Sequence, residues 1–156
     1  MNMRFISKAR VIPTSVHSAV DHVVGPALVI APTVLRLGRT SPEGIVARAV
    51  GGAEAVYSNL TDYELSVKNV VPMRIHLALD AIGGATLAVV PQLTGARRRG
   101  KKHWVPHLAL GALEIGMAAL TKTEPPKSGR KAQIAKLIAT AKRAGNAATD
   151  AVKAVA

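Results

Sequence analysis

The sequence predicts an all-α protein: a four-helix transmembrane bundle built from two duplicated two-helix units, followed by a basic C-terminal amphipathic helix. Three observations predict it. Four apolar stretches of about 16 to 25 residues bracket the length that a membrane-crossing helix needs. A pattern of polar and special residues recurs at offsets of 59 and 60 positions. Beyond residue 122 the chain changes abruptly to an Ala/Lys-rich composition.

The 156 residues suit one ordinary domain, with 49% hydrophobic but only 3% aromatic side chains. Lys and Arg number 21 against 9 acids, a formal net charge of +12, and the pI is about 10.8. A mean hydropathy of +0.23 in so basic a chain means that apolar residues and charges are segregated along it, which argues against disorder. With no cysteine, disulfides, thiolate metal sites and cysteine nucleophiles are all excluded.

Taken in order, the first stretch runs Val11–Leu35, after Arg4, Lys8 and Arg10. Pro13, His17, Asp21 and His22 interrupt it, so it reads as an uncleaved first segment and not as the compact apolar core of a signal peptide. The others are Ile45–Leu60, Pro72–Val90 and Trp104–Leu120. They are rich in Ala and Leu and too long for strands, which favours helix. Pro13 and Pro72 suit a first helical turn, Pro32 and Pro91 fall near the opposite ends, and Pro26 should kink the first helix. The membrane domain thus covers about residues 1–122, with repeat one at about 11–61 and repeat two at about 70–121. Residues 123–156 form a tail with seven basic and two acidic residues. Within it Ile134, Leu137, Ile138 and Ala141 recur at helical spacing opposite Lys136 and Arg143, which predicts one amphipathic helix near 129–144. Gly145-Asn146 then supplies a stop.

The repeat is specific. Ile12-Pro13, His17, Asp21, Gly25, Leu28 and Pro32 match Val71-Pro72, His76, Asp80, Gly84, Leu87 and Pro91 at an offset of 59. Gly51, Glu54, Leu60 and Thr61 match Gly111, Glu114, Leu120 and Thr121 at an offset of 60. Two crossings per unit would relate the units by a pseudo-two-fold axis along the membrane normal. The pattern P-x3-H-x3-D-x3-G-x2-L-x3-P resembles the SPW-repeat family of small bacterial membrane proteins, over residues 11–121. Leu60-Thr-Asp-Tyr-Glu-Leu and Val71-Pro-Met-Arg-Ile-His are similar to segments of related bacterial proteins. Ala31-Pro32-Thr33 and Val90-Pro91-Gln92 keep the family's proline and lack its Ser and Trp. The resemblance implies a membrane location and no particular activity.

The candidate site is a polar constellation of His17, Asp21, Glu54, His76, Asp80 and Glu114. It puts one carboxyl near the middle of each apolar segment, and each His lies four residues before its Asp, on the same helix face. An Asp at the centre of a membrane helix costs about 2.5–3.5 kcal/mol, against about 0.3–0.6 returned by each Leu, Ile or Val. These groups must therefore face the bundle interior. The first reading is structural: polar pairs that hold the helices in register. The alternatives are an ion or proton path through the same residues and a carboxylate metal site, although the His-x3-Asp spacing differs from the Glu-x-x-His of di-metal bundles. No cofactor is favoured; a metal or a haem on the two histidines is the weaker option.

Arg48 and Arg74 lie near segment ends, where they can snorkel, with a salt bridge to Glu54 or Asp80 as the alternative, and His22 and His107 read as interfacial or incidental. Ala49/Ala53, Gly84/Ala88 and Ala112/Gly116 are small-xxx-small pairs that permit close helix contact, within the chain or in a homo-oligomer. No nucleophile–base pair, phosphate loop or His-Glu-x-x-His is present, so the reading leans away from an enzyme. Arg97, Arg98, Arg99, Lys101 and Lys102, with Lys131, Lys136 and Arg143 of the tail, are expected to bind anionic lipid headgroups. Nucleic acid is disfavoured because the tail has no aromatic to stack on bases.

The function expected from sequence is that of a small integral membrane scaffold or accessory subunit of a larger assembly in the bacterial cytoplasmic membrane. A transporter or channel-like protein using the His/Asp/Glu cluster is the main alternative, and a helical bundle with a carboxylate/His metal site the other. Nine basic residues flank one side and seven the other, which leans towards both termini in the cytoplasm.

Overall fold

A computed structural model describes residues 10–124. The predicted tail helix, and with it Lys131, Lys136 and Arg143, lies outside the described residues. Among these residues the fold is all-helical, with α1 at Thr14–Val34, α2 at Pro42–Leu60, α3 at Met73–Leu93 and α4 at Val105–Leu120. Two short 3-10 turns, Ala96–Arg99 and Lys101–His103, join α3 to α4.

Local chemistry accounts for the boundaries. Pro13 and Pro72 occupy the N-cap positions of α1 and α3 in extended conformation, and α2 starts at a Ser41 cap whose hydroxyl accepts from the Gly44 N–H. Pro26 and Pro32 sit inside a continuous α1 and Pro91 inside α3, so Pro32 and Pro91 come just before the helix ends and do not themselves stop them. Gly95 and Gly100 take φ of 73° and 108°, the left-handed backbone that lets the basic connection turn twice within six residues.

The helices pair as two hairpins, α1 with α2 and α3 with α4, and α2 also packs on α3. Each hairpin closes on glycine. A Cβ on Gly51 would come within 2.5 Å of the Gly25 carbonyl oxygen, and one on Gly84 within 2.7 Å of the Gly111 carbonyl oxygen. The expected small-residue pairs are only partly used: Ala49, Ala53 and Ala112 face outward, and Gly116 has open space where a side chain would be.

At one end the helix termini are tied together in two matching ways. Ile12 N–H donates to Leu120 O (3.0 Å) and Lys122 N–H to Ile12 O (3.0 Å); Val71 N–H donates to Leu60 O (2.8 Å) and Asp62 N–H to Val71 O (2.9 Å). These parallel bridges, Ile12 with Thr121 and Thr61 with Val71, bring the start of α1 to the end of α4 and the start of α3 to the end of α2. The positions involved are those matched at offsets of 59 and 60.

Of the four helices, α3 is the one long and apolar enough to cross a membrane by length and composition. The other three depart from the expected spans for identifiable reasons. α4 has 16 residues, α2 carries Glu43, Arg48 and Glu54, and α1 carries His17, Asp21 and His22 as well as two prolines.

Candidate functional site

His17 and Asp21 of α1 meet His76 and Asp80 of α3, all at most 3% exposed. The His17 and His76 Nε2 atoms are 3.0 Å apart. His17 Nε2 lies 3.0 Å from Asp80 Oδ2 and 3.3 Å from Asp21 Oδ1. His76 Nε2 lies 3.0 Å from Asp21 Oδ2 and 3.2 Å from Asp80 Oδ2. Each imidazole thus faces both carboxylates, one on its own helix and one on the other. Because α1 begins at Thr14 and α3 at Met73, Asp21 and Asp80 fall about 10 Å along their helices at 1.5 Å per residue. That is nearer one end of the bundle than the mid-segment position expected.

The end bridges supply the outer contacts. They place Thr121 Oγ1 2.8 Å from His17 Nδ1 and Thr61 Oγ1 2.8 Å from His76 Nδ1. Thr61 gives its one hydroxyl proton to the Tyr57 carbonyl (2.8 Å), so it accepts from His76, whose Nδ1 carries the hydrogen. The Tyr57 hydroxyl donates to Asp80 Oδ1 (2.8 Å) and the Tyr63 hydroxyl to Asp21 Oδ2 (3.0 Å). Tyr57, Tyr63 and His17 all pack edge-on against the His76 ring, with centroids 5.1 to 5.2 Å away. The 61–72 connection covers this end, held by a hydrogen bond from Thr14 Oγ1 to Glu64 Oε1 (2.8 Å).

Glu54 and Glu114, 1% and 6% exposed, are also inside, but they are not in the quartet. Among the described residues neither carboxylate oxygen of Glu54 has a hydrogen-bond partner. An ionised carboxylate left so would be costly to bury.

A second buried polar centre, at the start of α2, was not read from the sequence. Glu43 is fully buried; its carboxylate meets His103 Nδ1 at 2.6 Å and Arg99 at 2.8 Å, while its carbonyl lies 2.9 Å from His107 Nε2. Of the basic residues expected at lipid headgroups, Arg99 is paired with this buried carboxylate while its side chain stays 39% exposed. His107 is buried. Arg97 stacks on Trp104 at 4.8 Å, and Arg98, Lys101 and Lys102 remain exposed. Arg48 turns back to its own helix, donating to the Gly44 carbonyl (3.2 Å). Arg74 pairs at 3.8 Å with Glu124, both largely in solvent.

Comparison with family models, with curated proteins and with solved structures finds no match. The resemblance to SPW-repeat proteins therefore rests on the residues quoted for it.

Proposed function

We propose that this chain is a small integral membrane protein whose four helices cross the bilayer as two duplicated hairpins, and that it serves as a scaffold or accessory subunit. The observation that carries the reading is the inverted distribution of side chains. Val23, Ile30, Val34, Val56, Ile75, Ile82 and Leu93 are each more than half exposed, while His17, Asp21, Glu54, His76 and Asp80 are at most 3% exposed. A water-soluble bundle would reverse the two sets, since burying apolar surface drives its folding. In lipid the arrangement is the expected one, because polar groups must find partners within the protein.

Averaged hydropathy undervalues such helices, since it counts Asp21, Glu54 and the histidines although lipid would not meet them. The 21 and 19 residues of α1 and α2 give about 31 and 28 Å of helix, close to a hydrocarbon core of about 30 Å. α4 gives about 24 Å and would need Trp104 and the preceding turn to complete its span. The polar quartet joins α1 to α3, hence one hairpin to the other, as a lock would.

A sodium-carbonate wash of membranes from cells expressing the chain tests this directly: retention in the pellet is expected, and release into the wash would refute it. The second reading, a proton or cation path, is favoured by the unpartnered carboxylate of Glu54. Ion flux into liposomes carrying the protein, lost on Glu54→Gln, would replace the scaffold reading with that one.

A further inference from the structure

We infer that His17, Asp21, His76 and Asp80 form a four-ligand site for one divalent transition-metal ion of the zinc class, each hairpin contributing one His and one Asp. The inference stands apart from the membrane reading, since it needs only the meeting of these four side chains from α1 and α3.

Three observations converge. Donor spacing is the first. Four ligands at tetrahedral corners, each about 2.0–2.1 Å from an ion, lie about 3.3–3.4 Å from one another. His17 Nε2, His76 Nε2 and Asp80 Oδ2 lie 3.0 to 3.2 Å from one another, and Asp21 turns Oδ1 to His17 at 3.3 Å and Oδ2 to His76 at 3.0 Å. A shared haem is a poorer fit: both nitrogens point into the same small space, whereas haem ligands lie on opposite faces of a macrocycle.

The second is hydrogen accounting. His76 carries its hydrogen on Nδ1, because Thr61 has no other proton to give. In the neutral ring Nε2 is then a lone pair, and it faces another ring nitrogen and two carboxylates. A cation among these acceptors satisfies them all at once, as a proton on one of the two Nε2 atoms would do only in part. One divalent ion with two carboxylates and two neutral imidazoles sums to zero charge, the arrangement that a buried site tolerates best.

The third is the outer shell. Metal-binding histidines direct the other ring nitrogen to a fixed partner, and ligating carboxylates are themselves hydrogen-bonded. Thr121 and Thr61 sit at the two Nδ1 atoms, and Tyr63 and Tyr57 donate to the two aspartates. The i, i+4 placement of His and Asp on each helix is the spacing at which a single helix face presents two ligands to zinc.

The test uses the full chain without a histidine tag, stripped with EDTA and then titrated with Zn2+ or Co2+ alone. One ion per chain is expected, with the intense visible bands of four-coordinate Co2+. Asp21→Asn with Asp80→Asn should keep the helix content and lose the ion, and Tyr57→Phe should weaken binding by about 10–100-fold. Glu43→Gln should still bind one ion. Wild-type protein that binds no ion, that gives the pale spectrum of six-coordinate Co2+, or that matches the double variant in metal content would overturn the site. The wild-type Co2+ spectrum decides the matter even if the double variant does not fold.

Discussion

The Nε2 atoms of His17 and His76 meet 3.0 Å apart, although 59 residues separate them and each comes from a different hairpin. Nothing local brings them together. They meet because the bridges of Ile12 to Thr121 and of Val71 to Thr61 align the starts of α1 and α3 with the ends of α4 and α2. The same bridges deliver the two threonine hydroxyls to the Nδ1 atoms.

Thr61 is therefore expected to matter beyond its size. Thr61→Val keeps the shape but leaves the His76 Nδ1 hydrogen without an acceptor in a fully buried place. It should cost about 1–3 kcal/mol of stability, the penalty of an unsatisfied buried donor, while Thr61→Ser should retain most of it. Chemical unfolding in detergent, followed by circular dichroism, measures both.

The glycine contacts separate required from incidental glycines. Gly51→Ala puts a methyl group within 2.5 Å of both the Gly25 carbonyl oxygen and the Leu28 Cβ, so α1 and α2 must move apart. A loss of about 1–3 kcal/mol is expected, as for other overpacked cores. Gly52→Ala and Gly116→Ala meet nothing within 4 Å and should be neutral or stabilise by up to about 1 kcal/mol, because alanine is the better helix former. Thermal unfolding of the three variants side by side checks the ordering.

Glu43 organises the opposite end of the bundle. Its carboxylate holds His103 and Arg99 of the basic turn, and Trp104, the single tryptophan, follows His103 and lies under Arg97. Glu43→Gln should shift the tryptophan emission as the 96–104 turn loosens. It should also cost about 1–3 kcal/mol, towards the low end because Arg99 is 39% exposed and screened by solvent.

The helices were largely legible because their signal is local. Apolar runs bounded by Pro, Gly and charge gave four helices with ends within about three residues of those found. The pairing of each His with the Asp four residues on was legible for the same reason, and the repeat pointed to the two halves meeting. The tyrosines were not. Tyr57 and Tyr63 are not matched between the halves, and they reach the aspartates from α2 and the 61–72 connection, which no periodicity relates to α1 or α3. Glu43 escaped notice because its partners lie 56 to 64 positions away, among basic residues that on sequence alone read as a solvated run. The small-xxx-small spacing misdirected attention to Ala49, Ala53 and Ala112, since that spacing finds a helix face but not the side it turns to. Gly25 and Gly84, matched in the repeat, were the better guide.

The central claim is that this bundle keeps its polar residues inside and turns its apolar residues to lipid. The absence of cysteine allows one direct measurement: labelling of single-cysteine variants in intact membranes by a water-soluble maleimide. Val23→Cys and Ile82→Cys, on outward-facing positions of α1 and α3 that are 67% and 64% exposed, should stay unlabelled until detergent is added. Arg98→Cys, on the exposed basic turn, should label once the membrane is opened to both sides. Rapid labelling of Val23→Cys and Ile82→Cys without detergent would place those faces in water and contradict the account.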